Sequence, residues 1–214
     1  MISPSRIGSR VALAAALLAP SGAVLVGSSP ITGDAVIRAM HDRYANSWYR
    51  TLSFTQKSTI RTPADTMMVE TWKERALLPG HLRIDVERGP RSVVAVYAGD
   101  SLFVWHGDSV LTRAATRNIL LVIGFDVYRQ PAETTLAVLA AEHFPMAPMH
   151  EEKWEGRPVY VIGAAAGDVH SHQLWIDKDR LLFVRSIEPD DRDSTKTLDI
   201  RFGDYVKVGG GWLS

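Results

Sequence analysis

Apolar residues near the start of the main body of the chain follow the spacing of a helix. Intervals of three and four residues separate Ile37, Met40, Tyr44 and Trp48. Such intervals place side chains on one face of a helix. The pattern predicts a helix over residues 34–47. The acidic Asp34 lies near its positive N-terminal end.

After this helix, apolar and polar residues alternate along the chain, which predicts a series of strands. The predicted strands cover residues 52–61, 66–77, 81–87, 93–97, 102–105 and 110–111. Turn residues separate them at 62–65, Pro79-Gly80, Gly89-Pro90, Gly99-Asp100 and Gly107-Asp108. On the second of these strands, one face carries Met68, Glu70, Trp72 and Glu74. Short strands joined by Gly-Asp turns are typical of an antiparallel meander.

The strands after Pro90 are apolar at nearly every position, including Val93–Tyr97 and Leu102–Trp105. Strands of this kind need both faces covered, or they contact something apolar. Residues 119–123 predict a short and very apolar helix, and Pro131 begins a second helix that extends to about His143. A second meander is predicted over residues 159–164, 170–176, 181–187 and 195–208.

The order of these elements predicts an α+β protein that is mainly β. We expect a single curved antiparallel sheet of about ten or eleven strands, with helices on one side. Trp212-Leu213 resembles the first residues of a further strand, so the domain, residues 28–214, is expected to lack its last strand.

The first 27 residues have the pattern of a secretory signal peptide. Arg6 and Arg10 precede the apolar run Val11–Ala19, and cleavage is expected after Ala23. An uncleaved N-terminal anchor is the alternative, but nine apolar residues are short of the ~20 that span a bilayer. Export to the periplasm argues against ATP-dependent chemistry and leaves binding, carrying and hydrolysis as candidate functions.

Composition narrows the function further. The 24 basic and 24 acidic residues balance, so no overall field favours nucleic acid. The chain has no cysteine, which excludes disulfides, a thiol nucleophile and an N-terminal lipid-modified cysteine. No cofactor or metal is expected.

Two motifs suggest catalysis or metal binding, and each has a simpler explanation. Gly99-Asp100-Ser101-Leu102 spells the nucleophile block of GDSL hydrolases, but the same tripeptide recurs at Gly107-Asp108-Ser109, as hairpin turns would produce. His170 and His172 would point to one face of a strand and could chelate a metal. Two polar residues on a solvated face are the simpler interpretation.

Several segments resemble the bacterial outer-membrane lipoprotein carrier family typified by LolA, with LolB and the sensor RseB as wider relatives. The matching blocks are Phe54–Gln56, Leu78–Pro90, Val94–Trp105, Trp154–Tyr160, Leu174–Arg185 and Thr197–Phe202. Their order along the chain carries the resemblance more than any single block does.

The resemblance implies an unclosed half-barrel whose concave side is covered by helices around a cavity for lipoprotein acyl chains. Its partners would be lipid or lipoprotein chains and membrane-bound donor and acceptor proteins, not nucleic acid. No catalytic residue is needed. Within the cavity, we expect ligand contacts from Phe54, Met68, Trp72, Leu82, Ile84, Val94, Val96, Phe103 and Trp105, with Leu120 and Ile123 from the helical lid.

Two other functions remain open at this point. The same fold could serve as an envelope-stress sensor or a protein-interaction module. A hydrolase or another enzyme centred on Ser101 or on the His170/His172 pair is the third hypothesis.

Overall fold

The computed structural model describes residues 32–61, 67–88, 91–190 and 193–214. The predicted leader and the turns predicted at 62–65 and 89–90 lie outside the described residues. The helices are α1 (Gly33–Tyr44), α2 (Ile119–Gly124) and α3 (Ala132–Ala141), with a 3₁₀ turn at Asp126–Tyr128.

The strands form two antiparallel meanders separated by the helical segment. The first contains β1 (Thr51–Arg61), β2 (Met67–Leu77), β3 (His81–Arg88), β4 (Arg91–Ala98), β5 (Ser101–His106) and β6 (Ser109–Ala114). The second contains β7 (Met149–Trp154), β8 (Arg157–Ile162), β9 (Gln173–Asp177), β10 (Phe183–Asp190) and β11 (Asp193–Arg201). A small hairpin of β12 (Val206–Val208) and β13 (Gly211–Leu213) follows.

The chain is mainly β and its antiparallel sheets do not close into a barrel, as predicted, but the prediction of a single sheet was wrong. The described strands form a six-stranded sheet, β1 to β6 in chain order, and a five-stranded sheet in the order β11-β10-β9-β8-β7. The reason lies after β6, where the chain enters α2 and α3 before it starts β7. A tight turn could have paired β6 with β7, but a connection of this length lets β7 begin a new sheet with β8.

Helix α1 forms where the apolar spacing predicts it, and it is shorter than predicted. The hydroxyl of Thr32 accepts a hydrogen bond from the N–H of Ala35 at 3.2 Å and caps its first turn. Val36, Ile37 and Met40 are almost completely buried. The helix ends at Tyr44 rather than Ser47.

The register of the first sheet defines two faces. Leu82 lies opposite Tyr97, and Ile84 lies opposite Ala95, so these residues share one face. Leu82 and Ile84 are buried against the helices in the main core, and we call this side the inner face. Charged residues such as Arg83 alternate with them along β3 and occupy the opposite side, the outer face.

One core joins the helices to both sheets. Buried residues of α1, α2 and α3 belong to the same cluster as Leu82 and Ile84 of the first sheet and Ile162 and Ile176 of the second. The predicted helix at 119–123 is confirmed as α2, and the Oδ1 of Asn118 caps it by accepting the Leu121 N–H at 3.0 Å. Helix α3 ends at Ala141, two residues before the predicted His143.

The second sheet differs from the sequence prediction at three places. Strand β7 was missed because four of its six residues, His150–Lys153, are polar. It pairs with β8 through a turn whose two residues, Glu155 and Gly156, both have positive φ. Strand β9 begins only at Gln173, and the single strand predicted over 195–208 is divided between β11 and β12.

Within the described ranges, no helix combines the length and the apolar character that crossing a bilayer requires.

Candidate functional site: an apolar cavity beneath helix α2

A cavity of about 280 Å³ lies between the inner face of the first sheet, helix α2 and the C-terminal strands. Its walls are mostly aromatic and aliphatic, with a few polar groups. The lining residues are Phe54, Gln56, Trp72, Glu74, Ala76, Leu82, Ile84, Asn118, Leu120, Leu121, Phe125, Arg201, Phe202, Leu213 and Ser214. Concave, largely apolar sites with a few polar groups are where proteins bind small molecules.

Strand β2 brings two carboxyl groups to the inner face. Glu70 and Glu74 alternate with Trp72 along this strand, and they are only 1% and 8% exposed. The indole N–H of Trp72 donates a hydrogen bond to Glu70 Oε2 at 2.8 Å. Glu70 is thus anchored, whereas Glu74 lines the cavity.

Burial changes the protonation of Glu74. Removal from water disfavours the charged carboxylate and raises the pKa of Glu74 to about 7. A carboxyl group with this pKa exchanges a proton near neutral pH. The charge of Glu74 in the cavity therefore depends on pH in the physiological range.

Helix α2 is tied to the sheet through the 3₁₀ turn that follows it. The backbone N–H of Gly80, in the β2–β3 turn, donates to both carboxylate oxygens of Asp126 at 3.2 and 3.1 Å. Asp126 is 1% exposed, and burial raises its pKa to about 6. This contact fixes the end of α2 that supplies Phe125 to the cavity.

Phe202 closes the cavity from the side of the second sheet. Its ring contacts Phe183 at 5.0 Å and Phe125 at 6.5 Å between centroids, both in edge-on geometry. A Cβ built on Gly124 would lie 2.9 Å from the Phe202 ring, so glycine permits α2 to approach it. Phe202 thus links α2 to β10.

Five of the eleven residues predicted to contact ligand line this cavity. They are Phe54, Trp72, Leu82 and Ile84 from strands and Leu120 from α2. Ile123 is instead 1% exposed and belongs to the core beneath α2. Met68 shares the inner face with Trp72 by strand alternation but lies beyond the cavity walls.

The remaining four residues of the predicted lining do not line this cavity. Val94 and Val96 lie opposite Asp85 and Arg83, so they are on the outer face, away from the cavity. Phe103 and Trp105 pair with them from β5, and are on that same face with their rings stacked at 5.8 Å. Because β4 and β5 are apolar on both faces, alternation alone could not assign their orientation.

Some cavity residues were missed by the sequence prediction. Strand alternation could have identified Glu74, since it shares the face of β2 that carries Trp72. Asn118 could also have been identified from the sequence, because an asparagine before an apolar helical run is typical of an N-cap. No local sequence pattern marks Phe202 or Leu213 as cavity residues, because each reaches the cavity from a segment distant in sequence.

The two catalytic and metal-binding motifs adopt the simpler structures. Gly99 and Gly107 have positive φ and form the β4–β5 and β5–β6 hairpin turns, so the repeated Gly-Asp-Ser is a turn signature. His170 and His172 precede β9 rather than lying on it, and His172 packs edge-on against Phe144 at 4.9 Å. In the part of the chain that the structure describes, no three histidine or acidic residues form a group suited to a metal.

A second hollow, of about 420 Å³, has a different chemistry. It lies beside Arg157, Asp177 and Arg180. The fully buried Asp177 accepts from Arg157 at 2.5 Å and from Arg180 at 2.9 Å, so these charges are already paired. Such a cluster is expected to stabilise the β9–β10 turn rather than to bind a ligand.

Comparison with models of known protein families and with curated proteins finds no match to this chain.

Proposed function

We propose that the protein is a non-enzymatic carrier or binder of hydrocarbon chains, such as the acyl chains of lipids or lipoproteins, in the cavity beneath α2. The observation that carries the proposal is the apolar wall of this cavity, where Phe54, Trp72 and Phe202 meet Leu120 of the helix. In this proposal the two sheets are the two parts of an unclosed half-barrel of the LolA type.

The proposed binding needs no catalytic residue, because burial of the hydrocarbon chain supplies the binding free energy. Each methylene group moved from water into an apolar site contributes about 0.8 kcal/mol. The cavity volume of about 280 Å³ is slightly below the roughly 300–1,000 Å³ of small-molecule sites. We therefore propose that the closed form holds one short chain, and that a larger lipid requires movement of α2.

Release in this proposal depends on α2. The helix is only six residues long and contributes Leu120 and Leu121 to the cavity wall. Its links to the rest of the protein include the Asp126–Gly80 hydrogen bonds and the contact with Phe202. Displacement of these contacts would open the cavity to a partner that offers the chain a better site.

The proposed location is the periplasm, following export by the signal peptide predicted over residues 1–27. Lipoprotein donors and acceptors in the two membranes would then be the partners. A periplasmic carrier needs no ATP and no cofactor, because transfer follows the relative affinities of the sites.

The test is to produce the full chain in a bacterial periplasm and to examine it by native mass spectrometry and lipid extraction. We expect a hydrocarbon-containing ligand on the wild-type protein. Ala76→Phe places a ring in the cavity and should abolish the ligand, whereas Ala98→Phe, on the outer face of the same sheet, should retain it. A wild-type protein that neither carries nor accepts such a ligand would refute the proposal.

A second candidate function, a protein-interaction or envelope-stress-sensing module, is favoured by a specific feature of the outer face. Val94, Val96, Phe103 and Trp105 form an apolar patch there, next to the 43% exposed Val110 of strand β6. Partly exposed apolar side chains beside an edge strand such as β6 are typical of protein-binding sites.

Substitutions on the two faces of the first sheet separate the candidates. If the patch binds a protein, Val96→Asp should remove a specific co-purifying partner that survives Ala76→Phe. The reverse result, loss of the partner with Ala76→Phe alone, would assign the interaction to the cavity instead.

A further inference from the structure

Glu74 is the most unusual residue of the cavity wall. It lies among apolar side chains, opposite Ile84 across the β2–β3 pair, and it is 8% exposed. No hydrogen bond or ion pair joins its carboxyl group to another side chain in the described parts of the protein. A buried carboxylate without a partner is destabilising, because the protein does not replace the hydration that it has lost.

Three other polar residues of the cavity wall, Arg201, Asn118 and Gln56, each have a hydrogen-bond partner of their own. Arg201, a cation at the cavity rim, donates to Asp199 at 2.6 Å and contacts the face of Trp154. The Oδ1 of Asn118 accepts the Leu121 N–H, and the amide of Gln56 donates to Ser58 Oγ. Within the described residues, the cavity wall thus contains an acidic group that no basic side chain of the wall contacts.

Resting on the carrier function proposed above, we propose that the cavity takes amphiphiles that carry an amine on a hydrocarbon chain, with the ammonium group donating to Glu74. The chain would contact Phe54, Trp72 and Leu120. The ammonium would supply Glu74 with the positive charge and hydrogen-bond donors that no side chain of the cavity wall directs at it.

The chemistry of Glu74 distinguishes this class from other amphiphiles. A fatty acid would place a second carboxylate near Glu74, and like charges at short distance oppose each other. An alcohol of equal length could also donate a hydrogen bond to the Glu74 carboxylate, but it brings no positive charge to compensate the negative one. The order of affinity expected is amine, then alcohol, then carboxylate.

The experiment compares octylamine, 1-octanol and octanoate by isothermal titration calorimetry at pH 7.5, below micelle-forming concentrations. The three probes share a chain, so the hydrophobic contribution is common to them. We expect octylamine to bind about tenfold more tightly than octanol, because only the ammonium group brings a charge opposite to that of the Glu74 carboxylate. Octanoate should bind most weakly.

Glu74→Gln is the matched variant, because it keeps the size of the side chain and removes its charge. It should bind octanol within about threefold of wild type, which also reports an intact cavity, and should lose the preference for octylamine. Glu87→Gln, on the outer face of the same sheet, should keep the wild-type preference.

The outcomes separate the inference from the carrier function. Equal binding of octylamine and octanol by the wild type, or an amine preference that persists in Glu74→Gln, would overturn the amine specificity and leave the carrier proposal standing. Failure of all three probes to bind would overturn both.

Discussion

The backbone N–H of Gly80 lies 3.1 Å from one carboxylate oxygen of Asp126 and 3.2 Å from the other. This interaction joins the β2–β3 turn to the 3₁₀ turn that follows α2, across 46 residues of sequence. It places a titratable group at the contact between the sheet and the helix that covers the cavity. Proton binding to Asp126 is therefore coupled to the stability of this part of the fold.

We predict that the free energy of unfolding falls as pH rises from about 4 to 7.5. Burial raises the pKa of Asp126 to about 6 and that of Glu74 to about 7, above their values in an unfolded chain. A raised acid binds its proton more tightly in the folded protein, so its contribution is present at low pH and lost as pH rises through the folded pKa. Each group contributes up to about 3 kcal/mol.

Chemical denaturation at a series of pH values measures this slope. Asp126→Asn and Glu74→Gln should each flatten it. Below about pH 4 the trend should reverse, because hydrogen bonds from Arg185 hold the pKa of Asp199 far below its ordinary value. A slope that is unchanged in both Asp126→Asn and Glu74→Gln would contradict the prediction.

Gly124→Ala is predicted to destabilise the protein by about 1–3 kcal/mol, the usual cost of overpacking. The added methyl group would lie 2.9 Å from the ring of Phe202, so α2 or that ring must move. Thermal unfolding measures the effect. The control is Gly203→Ala, where a Cβ meets no atom within 4 Å, and its stability should change by less than about 1 kcal/mol. Equal effects of the two substitutions would refute the packing argument.

Arg185→Lys is predicted to cost about 1–2 kcal/mol. The Arg185 guanidinium lies 4.2 Å from the ring centre of Trp154 and 4.7 Å from that of Trp175. It also donates to both oxygens of Asp199, at 2.8 and 2.9 Å. Lysine keeps the charge but cannot reproduce the planar stack and the two parallel hydrogen bonds.

Urea denaturation measures the Arg185→Lys effect, and Arg75→Lys provides the comparison. Arg75 pairs with Asp85 on the outer face with its side chain 59% exposed, so its replacement should cost less than about 0.5 kcal/mol. If both substitutions have the same small effect, the stack with the two tryptophans contributes nothing specific.

Tyr128→Phe is predicted to destabilise the fold by about 1–3 kcal/mol, because it leaves a buried donor without a partner. The Tyr128 hydroxyl oxygen accepts the backbone N–H of Phe183 at 2.9 Å, and the side chain is 1% exposed. Tyr49→Phe removes a hydroxyl that donates to the Val208 carbonyl at the surface, and it should cost less. Denaturant midpoints of the two variants give the comparison, and a larger loss in Tyr49→Phe would be inconsistent with the argument.

Strand β2 illustrates what alternation can predict. The sequence places Met68, Glu70, Trp72 and Glu74 on one face, and the structure has that face turned inward. Strands β4 and β5 illustrate the opposite case. They are apolar on both faces, and only their pairing through Arg83 and Asp85 of β3 turns Phe103 and Trp105 outward.

The alternation of apolar and polar residues did not predict strand β7. It is an edge strand whose run His150–Lys153 is polar, so no hydrophobic period marks it. Its existence depends on the hydrogen bonds that β8 offers. Such partners come from elsewhere in the chain and are not encoded in the local pattern.

The sequence by itself determined the local elements: the helix after Thr32, the alternating strands, the Gly-Asp hairpins and the apolar helix at residues 119–123. Each depends on interactions within a few residues, which periodicity and turn chemistry describe. The tertiary structure alone decided that the strands form two sheets and that Phe202 meets Phe125 beside α2. It also decided that Glu74 lines a cavity and has a raised pKa, because burial is produced by segments that are far apart in the chain.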